Sequence, residues 1–340
     1  MKKITFAVPC YNSAAYMDKC VNTLLPAGDD AEIILVNDGS TKDNTAEIAD
    51  GYAEKYPNIV KVVHKENGGH GDAVNSALSI ATGKYFKVVD SDDWADGDAL
   101  KKLMETITLF EDKEECPDAI IVNYVYEHVS DNTQKFVRYK GQLPENRLFT
   151  FDETKKFKTG QFLAMHSLVY KTEVLRKCGL VLPKHTFYVD NLFVYTPLPY
   201  VEKFYYLNVD FYRYFIGRND QSVNEQVIMK RIDQHVRVTE LLLEAHKLAD
   251  VKAKSKKLYR YMLNFISIMM TINSIYLIKI GTKESFEKKK KLWLLLKEKD
   301  LETYKKCKHK FVGLASYNNR LVCGFCKVVY TIARKIFKFN

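Results

Sequence analysis

In "VVDSDDW" (88–94) three carboxylates, Asp90, Asp92 and Asp93, fall within four residues directly behind an apolar run. Crowded carboxylates repel and raise one another's pKa, so a chain that places them side by side normally supplies a cation. A divalent metal is the first expectation. The alternative is a surface turn whose acids open the next helix, where negative charge is stabilising. An EF-hand is excluded by register: counted from Asp90, the fifth position is Trp94 and the sixth, which must be glycine, is Ala95. What remains is a site of one or two carboxylates completed by the phosphates of a nucleotide, as Mg2+ or Mn2+ prefers.

Such residues need a scaffold. "ITFAVP" (4–9), "AEIILVND" (31–38), "NIVKVVH" (58–64) and "KYFKVVD" (84–90) read as strands, and "AAYMDKCVNTLL", "NTAEIADGYAEKY" and "DAVNSALSIAT" between them carry apolar residues at helical spacing. That alternation predicts a largely parallel sheet with helices on both faces. Ligands of such sheets bind outside the carboxyl ends of the strands. The polar clusters "PCYNS", "NDGST", "KENGGHG" and "DSDD" all stand at those ends, which favours a site over a plain turn. The Gly-rich loop "NGGHGDAVN" (67–75) fails as a P-loop, having no Gly-Lys-Ser/Thr, and as a dinucleotide fingerprint, having Val74 where the third glycine belongs. It reads as a tight turn into a helix, open to close approach of the backbone to a ligand.

Further along, "LKKLMETITLF" is a helix, "DAIIVNYVYEHV" a strand with "KFVRYKG" as partner, and "SLVYKTEVLRKCG" a strand running into a helix that ends at Gly179. "EKFYYLN" and "DFYRYF" read as two aromatic strands between 202 and 215. From Gly217 strand signals vanish, and helical patterns follow at 224–249, 252–280, 284–299 and 319–338. The expected domains are 1–215 and a helical 216–340. The stretch 258–280 is long enough to span a bilayer, but Arg260, two asparagines and several hydroxyls favour a buried or amphipathic helix.

Charge divides the chain at the same place. Residues 1–215 hold 25 Lys and Arg against 31 Asp and Glu, net −6; residues 216–340 hold 27 against 11, net +16. A basic half of this size points to a polyanion. The opening "MKKITFAVPCYN" has a short apolar run broken by Pro9, unlike a secretory signal, and the seven scattered cysteines read as reduced thiols of a cytosolic protein. Cys323 and Cys326, with Cys307 and His309 upstream, could form a zinc site, but no second C-x-x-C follows and the pair lies in a helical pattern, where two small apolar side chains are the plainer reading.

Taken in order, "VPCYNS", "VNDGSTKDNT", "ENGGHGDAVN" and "VVDSDDW" resemble the front half of a family 2 glycosyltransferase of the GT-A fold, strongly over 4–110 and more weakly to 215. The resemblance implies a nucleotide-diphospho-sugar transferase fold with a mostly parallel central sheet, here with a helical basic extension. It implies that Pro9, Tyr11 and Asn12 shape the first loop around the nucleotide and that Asp38 hydrogen-bonds the base. It implies that Asp90 and Asp92 form the D-x-D, Asp92 on Mn2+ or Mg2+ and Asp90 on ribose or metal, with Asp93 continuing the motif and Trp94 either a wall of the sugar pocket or core packing. Two departures stand out. Val74 precedes Asn75 where relatives often carry arginine, and "YVDNLF" has Val189 in place of the Glu of a Glu-Asp pair. Asp190 is then the one candidate for the base that inverting transfer needs beside the acceptor hydroxyl, unless it is a helix N-cap. Arg213 in "DFYRYF", before "NDQSV", is a candidate for the diphosphate, and His185 for metal or acceptor.

The expected activity is inverting, metal-dependent transfer of a hexosyl group from a nucleotide sugar, a UDP-sugar first, to a glycan or lipid-linked acceptor in cell-surface polysaccharide synthesis. The alternatives are a non-catalytic partner of the same fold, suggested by Val189, and a basic nucleotide- or nucleic-acid-binding protein. No zinc-finger or RNA-binding signature supports the last, and charge alone predicts only non-specific affinity. In "NNRLVCGFCKVVYTIARKIFKFN", Leu321, Val322, Phe325, Val328, Val329, Ile332 and Ile336 recur at helical spacing among Arg320, Lys327, Arg334, Lys335 and Lys338. A basic amphipathic helix with aromatics predicts peripheral attachment to an anionic membrane, on the inner face of the cell membrane, the alternative being a helix packed on the catalytic domain with its lysines in water.

Overall fold

The computed structural model describes the chain except for residues 112, 130, 158–160, 218–224, 310 and 338–340, and except for the side chains of 311, 312 and 333–337. The chain divides into two compact units, Met1–Gly217 and Arg218–Asn340.

The first unit opens with the alternation read from sequence: β1 (Ile4–Cys10), α1 (Met17–Leu24), β2 (Ala31–Asp38), α2 (Thr45–Lys55), β3 (Val60–Lys65), α3 (His70–Ile80) and β4 (Tyr85–Val88). In the order β3-β2-β1-β4 these strands are parallel. β1 and β2 are buried along their whole length, which is why both read as unbroken apolar runs. Then come β5 (Trp94–Ala95), α4 (Gly97–Leu109), β6 (Ala119–His128), β7 (Thr133–Val137), β8 (Leu148–Phe149), β9 (Leu168–Lys171), α5 (Thr172–Lys177), α6 (Asp190–Tyr195) and β10 (Phe204–Ile216). β9 lies between β4 and β6 and runs antiparallel to both, while β10 returns parallel to β6. The sheet is therefore parallel on one side and mixed on the other.

The two aromatic strands expected between 202 and 215 are one. β10 is continuous, and its pairing with β6 shifts register between Tyr206 and Asp210 and again between Asp210 and Tyr212. The extra residues are absorbed as a local irregularity rather than a turn, which keeps Tyr212 and Arg213 in the sheet.

One buried charge ties the parallel side together. The Glu32 side chain on β2 has no exposed surface and accepts hydrogen bonds from Thr5 Oγ1 (2.6 Å), Gly83 N (3.2 Å) and the Thr82 amide, with Lys61 Nζ at 2.7 Å. Burial alone would raise its pKa; Lys61 and the Thr5 and Thr82 donors outweigh that and hold it below the ordinary value. Glu32→Ala leaves those donors unpaired and is expected to cost about 3 kcal/mol, read as a lower urea midpoint at pH 7. A depressed folded-state pKa contributes stability above the unfolded value of about 4.3 that is lost as pH falls through the folded value, so the gap to wild type narrows only in acid.

The described residues of the second unit form helices joined by short connections, with no strand among them: α7 (Glu225–Lys230), α8 (Ile232–Ala245), α9 (Leu248–Lys254), α10 (Lys256–Ile280), α11 (Lys283–Lys299), α12 (Leu301–His309) and α13 (Arg320–Phe337). The pattern expected over 224–249 is broken into α7, α8 and the start of α9. That over 252–280 breaks at Ser255, whose hydroxyl caps α10 by accepting from Leu258 N at 3.0 Å. α10 ends at Gly281 in the left-handed conformation, φ 74°. It is apolar and long enough to cross a membrane, yet 72% of its most apolar stretch is buried, so in this fold it is a core helix. Its polar residues are used inside: Asn273 bonds His235 Nδ1 (3.0 Å) and Thr239 (2.7 Å), and Ser274 accepts from the Trp293 indole at 3.0 Å. Cys323 and Cys326 sit in an apolar cluster with Ile275, Ile278 and Ala315, and all seven cysteines are free. Cys307 lies against Ser267, 3.2 Å away, so the C-x-x-C belongs to core packing.

Candidate active site

The four polar loops meet at the carboxyl ends of β1, β2, β3 and β4 and are bonded to one another. Ser13 Oγ lies 2.8 Å from Ser91 Oγ, joining the first loop to the acidic turn. Asn12, with φ 49°, accepts from the Thr41 and Lys42 amides and donates its own amide to Ser40 Oγ (2.9 Å), clamping the second loop to the first. Pro9 is buried in β1, and Tyr11 stands half exposed at the edge.

Asp38 departs from its expected role. Oδ1 accepts from Lys65 Nζ and Gly68 N (both 2.8 Å), and Oδ2 from Gly69 N (2.7 Å) and Asn67 Nδ2 (3.2 Å). A carboxylate offers about four acceptor positions, and all are taken within the chain. Asp38 organises the Gly-rich loop rather than presenting an open acceptor to a base.

That loop, in turn, seats the segment carrying Asp190. Gly69 has φ 84°, the Gly68 carbonyl accepts from His185 N (2.6 Å), and a side chain at Gly71 would meet Leu182 Cβ at 2.9 Å. Asn75 finishes the seat, donating to Leu182 O (2.8 Å) and accepting from Leu182 N (3.0 Å). The close backbone approach suggested by the glycines is thus to the protein's own 182–189 segment. His185 contributes its backbone, at φ 48°, while its side chain is exposed and lies outside the acidic cluster. Tyr188 is also left-handed, φ 66°, a costly conformation for an aromatic residue that recurs where structure is held for function. Val189 is buried against Gly71, which explains an apolar residue there. Val189, not Asp190, occupies the N-cap of α6; the Asp190 carboxylate accepts from Asn191 Nδ2 at 3.3 Å and from backbone amides of its own first turn, Asn191 and Asp190.

The acidic turn meets two histidines. Asp90 Oδ1 is 2.7 Å from His70 Nε2, on the first turn of α3. Asp90, Asp93 and His166 bring ligand atoms within 4.8 Å of one another. Asp92, expected on the metal, lies outside that trio, though its charge acts on Asp93 and His70. Asp93 is buried, accepting from Tyr212 Oη (2.6 Å) and Phe215 N (2.8 Å), while Asp90 N donates to Tyr212 Oη (3.1 Å). The His166 ring is flanked by Tyr212 and Tyr214, each 4.7 Å away between centres. Lys87, fully buried in β4, donates to the carbonyls of Met165 (2.9 Å) and His166 (2.7 Å) and so fixes that segment.

Electrostatics separates these groups. Burial, then the charges of Asp92 and Asp90, push the Asp93 carboxyl well up. Asp90 is held below the ordinary value because His70 outweighs burial. His70 is raised, burial being overcome by Asp90, then Asp190 and Asp92. Burial drives His166 down to about 4, leaving a neutral imidazole whose buried Nδ1 has no hydrogen-bond partner. Asp190 is raised by burial and by Asp90, with His70 opposing. Two carboxylates beside a neutral imidazole with an orphaned ring nitrogen are a donor set that fits a divalent metal. The raised carboxyl of Asp190, close enough to His70 and Asp90 to feel both, is suited to taking a proton.

Arg213 is brought near but committed elsewhere. It pairs with Asp96 (2.7 Å) and Glu127 (3.0 Å) with 17% of its side chain exposed, so its charge is already answered and it braces β5 against β6. The "NDQSV" stretch that follows lies outside the described residues. Trp94 is partly exposed and carries Lys19 Nζ 2.9 Å from its ring centre. His70, His166, Tyr212 and Lys87 were not singled out from sequence. The lysine interrupting "YFKVV" and the histidine inside the Gly-rich loop were the available signals; His166 and Tyr212 carry no local pattern.

Residues 5–179, half of the chain, match the description "Glycosyl transferase family 2". The chain belongs to that family. It is 38% identical over 135 residues to glycosyltransferase GlyG of Streptococcus pneumoniae, covering 39% of this chain and 42% of GlyG. It is 29% identical over 240 residues to the uncharacterized glycosyltransferase EpsJ of Bacillus subtilis, covering 68% and 66%. The chain thus spans less than two thirds of either relative. Among solved structures, S. aureus TarS 1–349 in complex with UDP-GlcNAc aligns with TM-score 0.57 at 19% identity over 90% of both chains. The fold is that of the GT-A family 2 glycosyltransferases: a mixed sheet flanked by helices, followed by a helical C-terminal region.

Proposed function

We propose that the chain is an inverting, metal-dependent glycosyltransferase that moves a hexosyl group from a UDP-sugar to a hydroxyl of a glycan or lipid-linked acceptor in cell-surface polysaccharide synthesis. The observation that carries it is the convergence of Asp90, Asp93 and His166 with Asp190 at the carboxyl edge of the sheet. Support for the donor comes from TarS, solved with UDP-GlcNAc. Support for metal comes from the Pyrobaculum calidifontis mannosyltransferase PcManGT, solved with GDP-Man and Mn2+, at TM-score 0.52, 14% identity and coverage of 97% of this chain and 80% of that one.

Asp90, Asp93 and His166 would hold Mn2+ or Mg2+, which when bound supplies positive charge against the departing diphosphate. Asp190 accepts the proton of the acceptor hydroxyl as its oxygen attacks the anomeric carbon. His70, whose pKa is raised by Asp90 2.7 Å away, would be the group through which the Gly-rich loop supplies positive charge in a chain with Val74 instead of arginine. Lys87 sets the His166 carbonyl and so the ring's aim. Lys87→Met is expected to weaken Mn2+ binding about 10–100-fold, as loss of a ligand's supporting bond does. Titration of free Mn2+ by its electron-spin resonance signal measures this.

The experiment that tests the proposal is thermal unfolding with UDP, GDP, CDP and dTDP, each with and without Mn2+. A ligand at a hundredfold excess over Kd adds about 2.7 kcal/mol to the folded state. A Mn2+-dependent shift confined to UDP is expected. No shift with any nucleotide would remove the donor-site reading.

A further inference from the structure

α13 has two faces, and both are apolar. Val322, Cys323, Cys326 and Tyr330 face inward, packed with Ile275 and Ile278 of α10 and with Ala315. The opposite face carries Leu321, Phe325, Val328 and Ile332, with exposures of 83%, 51%, 57% and 52%. Their spacing of four, three and four residues places them in a single stripe along the helix. Neighbouring stripes on a helix surface are ordinarily polar, and contiguous exposed apolar surface marks an interaction site. Arg320 and Lys327, seven residues apart and both exposed, line one flank of the stripe, and the sequence continues that spacing with Arg334. Tyr317, just before the helix, is 52% exposed.

We infer that this outward face of α13 is a docking surface for an anionic lipid bilayer. The occupant is chosen by charge. The unit that presents the stripe carries 27 basic against 11 acidic residues, so a second copy brought face to face would set like charges beside like at Arg320 and Lys327. A polynucleotide answers the charge but offers nothing to cover four aliphatic and aromatic side chains. An anionic membrane answers both, burying the stripe at the headgroup boundary while the basic flank meets lipid phosphate. The inward face is already satisfied by packing, so α13 lies along such a surface rather than crossing it. The inference is independent of the donor-site reading.

The test is cosedimentation of the full chain with vesicles of phosphatidylcholine alone and of equal parts phosphatidylglycerol and phosphatidylcholine. Binding to the anionic vesicles only, falling as salt is raised, is expected. Val328→Glu/Ile332→Glu is expected to weaken it at least about tenfold, and Lys327→Gln about fivefold. Both positions of the double variant are exposed, and an unchanged thermal midpoint with unchanged nucleotide binding shows that it remains folded. Absence of binding, or binding that Val328→Glu/Ile332→Glu leaves intact, overturns the inference. So does a dimer in sedimentation velocity that the same variant dissociates while vesicles bind neither protein.

Discussion

Asp190→Asn is expected to lower sugar transfer about 10²–10⁴-fold, the range a positioned general base supplies, while leaving nucleotide affinity within a few-fold of wild type. The substitution keeps the size of the side chain and its bond from Asn191, and removes only the ability to take a proton. The split between rate and affinity matters, because Asp190 is held on its own segment, seated by Gly69, Gly71 and Asn75, and is not one of the three groups proposed to hold the metal. The pH profile carries the same assignment. A base works when deprotonated, and burial with the nearby charge of Asp90 raises the pKa of Asp190. The rate should therefore fall on the acid side at a pH above that of an ordinary aspartate, and that limb should vanish from the residual activity of Asp190→Asn.

Asp90→Ala is expected to abolish the stabilisation that UDP with Mn2+ confers, a loss of about 2.7 kcal/mol at a hundredfold excess over the wild-type Kd. Asp90 joins several parts of the site: it bonds His70, its amide meets Tyr212, and it belongs to the trio with Asp93 and His166. Removing it takes away one of the three proposed metal ligands and leaves His70 without its hydrogen-bonded carboxylate. His166→Phe keeps an aromatic ring between Tyr212 and Tyr214 but has no ring nitrogen, and should cost about 10–100-fold in Mn2+ affinity. Thermal unfolding with and without metal separates these effects from general destabilisation, since the unliganded midpoint reports the fold alone.

Much of this arrangement was legible in the chain because it is local. β1 and β2, buried along their whole length, write themselves as apolar runs, and the loops at the strand ends collect the polar residues, so these strands and the acidic turn could be placed from spacing. What could not be read is what depends on distant pairing. His166 comes to Asp90 only because β9 inserts antiparallel beside β4 and Lys87 holds the preceding segment. Tyr212 reaches Asp93 only because β10 continues through its register shifts. The same limit explains the reassignments. Asp38 looked like an open acceptor until the four donors of its own neighbourhood were in place, and Arg213 looked like a free cation until Asp96 and Glu127 closed on it. Asp92 stands two residues from Asp90, as a D-x-D requires, yet the turn brings Asp93 rather than Asp92 into the trio with His166. In the helical unit the amphipathic pattern of α13 was visible, but its division into an inward and an outward apolar face needed the packing partners.

The most direct test is proton NMR of the reaction with the α-linked UDP-sugar that the nucleotide panel selects, with Mn2+ and with water as acceptor where no glycan is supplied. The first sugar product should be the β-anomer, formed with release of UDP, and Asp190→Asn should form it at least about a hundredfold more slowly. Release of the α-anomer, or UDP-sugar that binds with Mn2+ yet is never cleaved, would contradict a catalytic site in which Asp190 acts as the base opposite the departing diphosphate.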